Sequence, residues 1–219
     1  MVTIEERVTV PHTAFDHSGY RCWVTSDDFP DGIRTTFVDG EVLVEMTPVS
    51  LDTHSLVKGA VTAALWQFVR DNNLGELYPD GTLVTNEAAR LSCEPDATFV
   101  SWHSFESGLV RLVPRADGLD YIEVLGSPDL VIEIVSKTSV RKDTKLLREA
   151  YARAAIREYW LIDARRDQLR FEILSNRDGS FVSSADALAT QSSTVLGGTW
   201  QLVRERNRIG HYSYSLVRS

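Results

Sequence analysis

Glu133 stands alone in an apolar run. The stretch from Asp129 to Val135 reads DLVIEIV, bounded by Ser127-Pro128 before it and Ser-Lys-Thr-Ser after it. Such a run predicts a strand buried on both faces. A carboxylate at its centre is expensive unless it is paired, protonated or bound to a cation. Alternation puts Asp129, Val131, Glu133 and Val135 on one face, but Asp129 would lie roughly 13 Å from Glu133, too far to share a cation. A second carboxylate must come from a neighbouring strand. Asp96, which follows Pro95 and opens the apolar stretch Ala97–Trp102, is the natural candidate. Two carboxylates with a main-chain carbonyl and waters suit a hard divalent cation, Mg2+ or Mn2+. A lysine beside them would stabilise negative charge on a phosphoryl group. That set describes metal-dependent hydrolysis of a phosphodiester. Two plainer readings stand beside it: Asp96 as a turn residue, and Glu133 as a structural carboxylate hydrogen-bonded to Tyr151 or Lys142.

The cations gather just after the acidic strand. Arg141, Lys142, Lys145 and Arg148 crowd the start of a helix expected over Arg141–Ile156. Positive charge there opposes the helix macrodipole at a cost of about a few tenths of a kcal/mol per group. Either the site wants cations next to Glu133, or this is a solvated basic face. Lys142 and Lys145 are three apart and share a helical face. His54 falls in the first turn of another expected helix, His54–Arg70, where it faces a site or is simply a polar first-turn residue. His12 and His17 lack a third close ligand, so they do not make a metal site.

These residues need a sheet with helices against it. Thr35–Met46 predicts a hairpin around Asp39-Gly40. Asp52 or Thr53 would cap the helix that follows, whose apolar stripe is Leu56, Val57, Ala60, Val61, Ala64, Leu65 and Phe68. Gly75–Leu91 holds two short strands around Pro79-Asp80-Gly81, and 103–120 reads as a long mixed loop over a site or partner surface. Strands follow at Glu158–Asp163 and Gln168–Leu174, with further short ones near Phe181 and after Gly197-Gly198. The expectation is an α/β fold. A central mixed β-sheet, with strands near 37–46, 97–102, 130–135, 158–163 and 168–174, is flanked by the two helices. We read 1–219 as one domain, with 1–30 a flap anchored by Phe15, Tyr20, Trp23 and Phe29, and 190–219 a C-terminal β extension.

Composition narrows the class. The chain has 219 residues, 43% of them hydrophobic, and a net charge of −8, which does not announce a nucleic-acid binder. Cys22 and Cys93 are too few and too far apart for a disulfide framework or a cysteine zinc site. No apolar run reaches the ~18 residues of a membrane span and MVTIEERVTVPH has no signal-peptide core, so the cytoplasm is the default.

Taken together, the motifs resemble a known family. Glu94-Pro95-Asp96 before a strand, PDLVIEIVS, the basic helix with Lys142-Asp143-Thr144, and EAYARAAIREYWLID are similar to the bacterial Uma-two proteins. So are VDGEVLVEMTP and His54. That family belongs to the PD-(D/E)XK nuclease superfamily, with a restriction-endonuclease-like fold, and the resemblance runs from about Arg34 to Phe181. It implies an Mg2+-dependent DNA endonuclease with Asp96 and Glu133 as metal-binding acids and Glu45 or His54 close by. A two-fold homodimer would match the pseudo-symmetry of duplex DNA. This chain departs from the family at four places. Val135 stands where the superfamily often has a lysine, and Leu147 where family members carry one on the helix. Thr36 replaces a glutamate before the VDG turn, and Ala155 replaces the glycine after the helix. Of the local lysines, Lys145 is nearest the family's helix position and is the expected catalytic cation, with Lys142 the alternative. The same departures define a second reading: a catalytically silent nuclease fold serving as a binding or assembly module.

Overall fold

Three sheets and four α-helices are built from the described residues. The structure, a computed structural model, describes residues 8–30, 32–45, 50–115, 117–184 and 191–219. The central sheet has six strands in the order Ser180–Ser183, Arg170–Arg177, Glu158–Asp163, Leu130–Ile134, Ala97–Ser101 and Gly75–Pro79. It is mixed: Leu130–Ile134 runs parallel to Glu158–Asp163 and antiparallel to Ala97–Ser101. The acidic strand is therefore interior, and all five of its residues are buried. This is what its near-continuous apolar sequence demanded.

A second six-stranded sheet runs Glu41–Glu45, Arg34–Val38, Leu91–Cys93, Leu83–Asn86, Tyr121–Gly126 and Val110–Pro114. The hairpin expected in the central sheet belongs here instead. Its turn is as expected, with Asp39 and Gly40 both at positive φ (50° and 91°), the geometry of a two-residue hairpin turn. The two strands around Pro79-Asp80-Gly81 form, but the turn between them carries the chain from one sheet to the other. The stretch expected as a loop over 103–120 instead holds a short helix and one strand of a hairpin, Val110–Pro114 paired with Tyr121–Gly126. Met46 and Pro48 lie outside the described residues.

Helix α1 (His17–Val24) precedes the hairpin, α2 (Leu56–Asp71) follows it, α3 (Trp102–Glu106) extends the Ala97–Ser101 strand, and α4 (Leu147–Arg153) follows the acidic strand. Val57, Val61, Leu65 and Val69 of α2 pack on Phe99, Leu130, Ile132 and Ile134 on one face of the central sheet. Trp200 and Leu202 of a third, three-stranded sheet (Gln191–Ser192, Thr199–Arg206, Tyr212–Arg218) close the same core. On the other face, Val131 and Val135 meet Leu147, Ala150 and Tyr151 of α4 and Leu91 and Cys93 of the second sheet. Alternation along the strand sends Glu133 to this second face. At the amino-terminal end, Tyr20 and Trp23 pack with Phe29 against Phe37, while Phe15 stays exposed. His17 bonds Ser92 Oγ at 2.8 Å and stacks on Phe37. No helix among the described residues is long and apolar enough to cross a membrane.

Candidate active site

Asp96 sits where the chain leaves the second sheet for the central one. Pairing of the two central strands ends at Ala97 opposite Ile132. The next main-chain N–H on that edge, of Ile134, is taken by Asp96 Oδ2 at 2.7 Å. The side chain thus replaces a missing rung of the ladder and is fixed beside Glu133. His54 Nε2 lies 3.5 Å from the same oxygen, and Lys58 Nζ lies 2.6 Å from Oδ1. That approach is an ion pair with poor hydrogen-bond alignment, and Arg34 Nη1 stands 3.8 Å from the same oxygen. Burial opposes ionisation of Asp96, but His54 and the Lys58 charge outweigh it and hold the carboxyl well below its usual range.

Glu133 goes the other way. It is 3% exposed, and burial pushes its pKa well above the ordinary carboxylate value, only partly offset by Lys142. The Tyr151 hydroxyl donates to Oε1 at 2.6 Å. Lys142 is itself buried; its Nζ donates to Glu45 Oε2 at 2.9 Å and lies 3.6 Å from Asp143 Oδ1. Burial works against its charge, but Glu133, Asp143 and Glu45 raise its pKa above the ordinary lysine value. Asp143 is pushed up to about 7, chiefly by burial.

Both helices that supply these groups begin with a π-helical turn, Leu51–Ser55 before α2 and Lys142–Leu146 before α4. Ser50, not Asp52 or Thr53, caps the first, accepting from Thr53 N–H. Such wide turns are frequent at functional sites. Here they carry His54 at one and Lys142 and Asp143 at the other. Both border a cavity of about 910 Å3 that Asp96, Glu133, Glu45 and Lys58 also line. Lys137 lines it too, from the Ser136–Ser139 loop, whereas Lys145 is exposed and outside it. Leu147 is fully buried in the core beneath α4. Lys58, which the sequence reading passed over, had one signal: it lies four residues after His54, on the same helical face.

Three buried carboxylates elsewhere in the fold, Glu123, Asp129 and Glu158, are saturated. Glu123 is held by Arg21 through both oxygens at 2.9 and 2.7 Å. Asp129 accepts from Ser101 N and Arg157 Nη1. Glu158 accepts from Ser193, Thr194, Val195 and Trp160. In the cavity, by contrast, Asp96 Oδ1, Asp143 Oδ1 and His54 Nδ1 are buried without a hydrogen-bond partner among the described residues. Thr98 Oγ1, Glu172 Oε2, Ser184 Oγ and Tyr214 Oη are also without such a partner but lie outside this cavity. Such groups are costly, and three meeting in one cavity, two of them carboxylate oxygens, make it the candidate site. No three His, Cys, Asp or Glu side chains among the described residues already surround one point as a cation site. Asp96 and Glu133 nonetheless fit a divalent cation: two carboxylates at adjacent strands, one with an oxygen held only by ion pairs, with water making up the remaining ligands.

The comparisons with known proteins agree with this architecture. The family described as "Uma2: Putative restriction endonuclease" matches residues 20–202. A solved structure of a "putative nuclease belonging to DUF820" from Anabaena variabilis superposes with a TM-score of 0.54 at 14% identity, over 74% of this chain and 83% of that one. At that identity the likeness speaks for the fold alone. No curated protein matches.

Proposed function

The chain belongs to the Uma2 family, a restriction-endonuclease-like nuclease family, and from that premise we propose that it is a divalent-cation-dependent DNA endonuclease. The observation that carries this is the set of under-partnered buried groups around Asp96 and Glu133 in one cavity, flanked by Lys142 and Lys58. Asp96 and Glu133 would hold Mg2+ or Mn2+, which when bound polarises the phosphodiester and activates water. Lys142 is the charge-stabilising group: Glu45 fixes its ammonium from the hairpin, so it is preorganised before substrate arrives. His54 orients Asp96. Lys145 is not part of this set, because its side chain points to solvent. The cytoplasm is the compartment in which such an enzyme meets DNA. Cleaving both strands calls for two copies of the site or for one that is repositioned, and a homodimer would supply the two. Light scattering at tens of micromolar protein reads the oligomer directly, and a clean monomer there removes the dimer.

The test is incubation of plasmid, linear and single-stranded DNA with Mg2+ or Mn2+. Wild type nicks or cuts; Asp96→Asn and Glu133→Gln do not, and Asp96→Asn no longer binds the cation. One observation favours the silent-fold alternative: the family's helix lysine is Leu147 here, sealed in the core. DNA retained by wild type without cleavage under any of these conditions would establish a binding or assembly module.

A further inference from the structure

Lys58 reaches into the cavity from α2, one turn beyond His54. Its Nζ lies 2.6 Å from Asp96 Oδ1 and 3.1 Å from Asp80 Oδ2. Asp96 Oδ2 is committed to the Ile134 N–H. Oδ1 is therefore the oxygen that Asp96 has left to offer a cation, and it is the one against which the ammonium rests. A divalent cation and an ammonium repel strongly at such separations in a cavity walled by buried side chains.

Asp80 provides the other half of the arrangement. It sits at the turn between the two large sheets, with its side chain 39% exposed against 4% for Asp96, and it also pairs with Arg34. A lysine is a point charge on a flexible stem, and this one already touches both carboxylates. Leaving Asp96 for Asp80 needs a small swing of the Lys58 stem and leaves no charge unpaired.

We propose that Lys58 and a divalent cation compete for Asp96 Oδ1, with Asp80 receiving Lys58 when the cation enters. This rests on the reading of Asp96 and Glu133 as the cation's carboxylates. In the cation-free protein Lys58 neutralises a buried carboxylate that would otherwise be costly to leave bare. The Lys58–Asp80 pair thereby sets cation affinity without being a ligand. Such a device keeps the site closed to a cation at low concentration and opens it with no rearrangement of the backbone.

Calorimetric titration of Mn2+ into the full chain tests this without any cleavage assay. Lys58→Gln removes the competitor and binds Mn2+ about tenfold tighter, equivalent to ~1.4 kcal/mol. Asp80→Asn removes the alternative partner and binds more weakly. In the Lys58→Gln background, Asp80→Asn changes affinity little, because Asp80 acts through Lys58. Lys58→Arg keeps a competing charge and stays close to wild type. Should Lys58→Gln fail to fold, Asp80→Asn and Lys58→Arg carry the comparison. Additive effects of Lys58→Gln and Asp80→Asn would overturn the proposal, since they would mean two charges acting independently through space. Unchanged or weaker binding in Lys58→Gln, with binding still abolished by Asp96→Asn, overturns it while leaving the cation site standing. Binding indifferent to Asp96→Asn sinks the site and the competition together.

Discussion

Asp143 shares a cavity wall with Lys142, yet its neighbours do not make its charge comfortable. Its ordinary pKa of 3.8 rises to about 7, because burial and nearby carboxylates outweigh Lys142 and the Ser139 hydroxyl. A carboxyl that holds its proton more tightly folded than unfolded stabilises the fold fully below pH 3.8. That contribution is lost as pH rises through 7. Asp143→Asn keeps an acceptor for Ser139 and removes the charge. We expect it to melt higher than wild type at pH 8, by roughly 2–4 °C for each kcal/mol recovered, with the gain smaller at pH 5 and gone only below pH 3.8; differential scanning calorimetry across that range reads this. Lys142 and Lys145 differ equally sharply. Lys142→Met should cost on the order of 10²–10³ in cleavage rate, and Lys145→Ala should leave it unchanged, measured by plasmid nicking. That Asp96 and Glu133 share a cavity was legible in the sequence, because a lone carboxylate in an apolar strand has few explanations. The sequence did not separate Lys142 from Lys145: three apart they share a face of a regular helix, and nearness to the family's helix position favours Lys145, whereas the π turn over Lys142–Leu146 buries Lys142 and leaves Lys145 exposed. Lys58 was hidden for a different reason: one lysine on an amphipathic helix looks like any other solvated one.

Among the elements, α4 ends in a way its sequence does not favour. Ala155 has φ +56°, its N–H donates to Ala152 O at 3.1 Å, and Ile156 N–H donates to Tyr151 O at 3.1 Å. This is a Schellman ending with alanine at the left-handed position that glycine usually fills. A left-handed L-residue costs about 1–2 kcal/mol. Ala155 is exposed, so replacing it removes little packing. Ala155→Gly should therefore raise stability by about 1 kcal/mol less the entropy that glycine adds to the unfolded chain; urea unfolding with an unchanged slope would show it, and a loss of stability would contradict it. The strands themselves were largely readable, since alternation and turn residues are local signals. Their assignment to sheets was not. The hairpin at Arg34–Glu45 and the strands either side of Gly81 have the same periodicity whichever sheet they join. The strand Val110–Pro114 was missed because Arg111, Pro114 and Gly118 dilute its apolar pattern to that of a loop.

Across the whole molecule, stability and the site are carried by different carboxylates. The third sheet is a roof on α2 and the central sheet, with Trp200 packed edge-on to Phe68 at 5.2 Å and tilted against Trp160 at 5.5 Å. Ser193–Val195 lies in the connection between the first two strands of that roof, and Glu158 holds this segment. Its Oε1 accepts from the Thr194 and Val195 main chain and the Thr194 hydroxyl, and its Oε2 from Ser193 Oγ and Trp160 Nε1. Glu158→Ala would strand several buried donors at once, each worth about 1–3 kcal/mol when left unsatisfied. Trp200→Ala would open a cavity beneath the same roof at about 3–5 kcal/mol. Both variants should melt well below wild type. Because both release one segment, their combined loss should fall short of the sum of the singles. Neither touches the cavity around Asp96, so protein that remains folded at low temperature should bind Mn2+ with wild-type affinity. Glu133→Gln should do the reverse. It removes a charge that burial disfavours, so the fold should stay as stable as wild type while cation binding and cleavage are lost. A Glu133→Gln variant that unfolds while Glu158→Ala does not would mean that Glu133 is the structural carboxylate, and the cavity would lose its claim to be an active site.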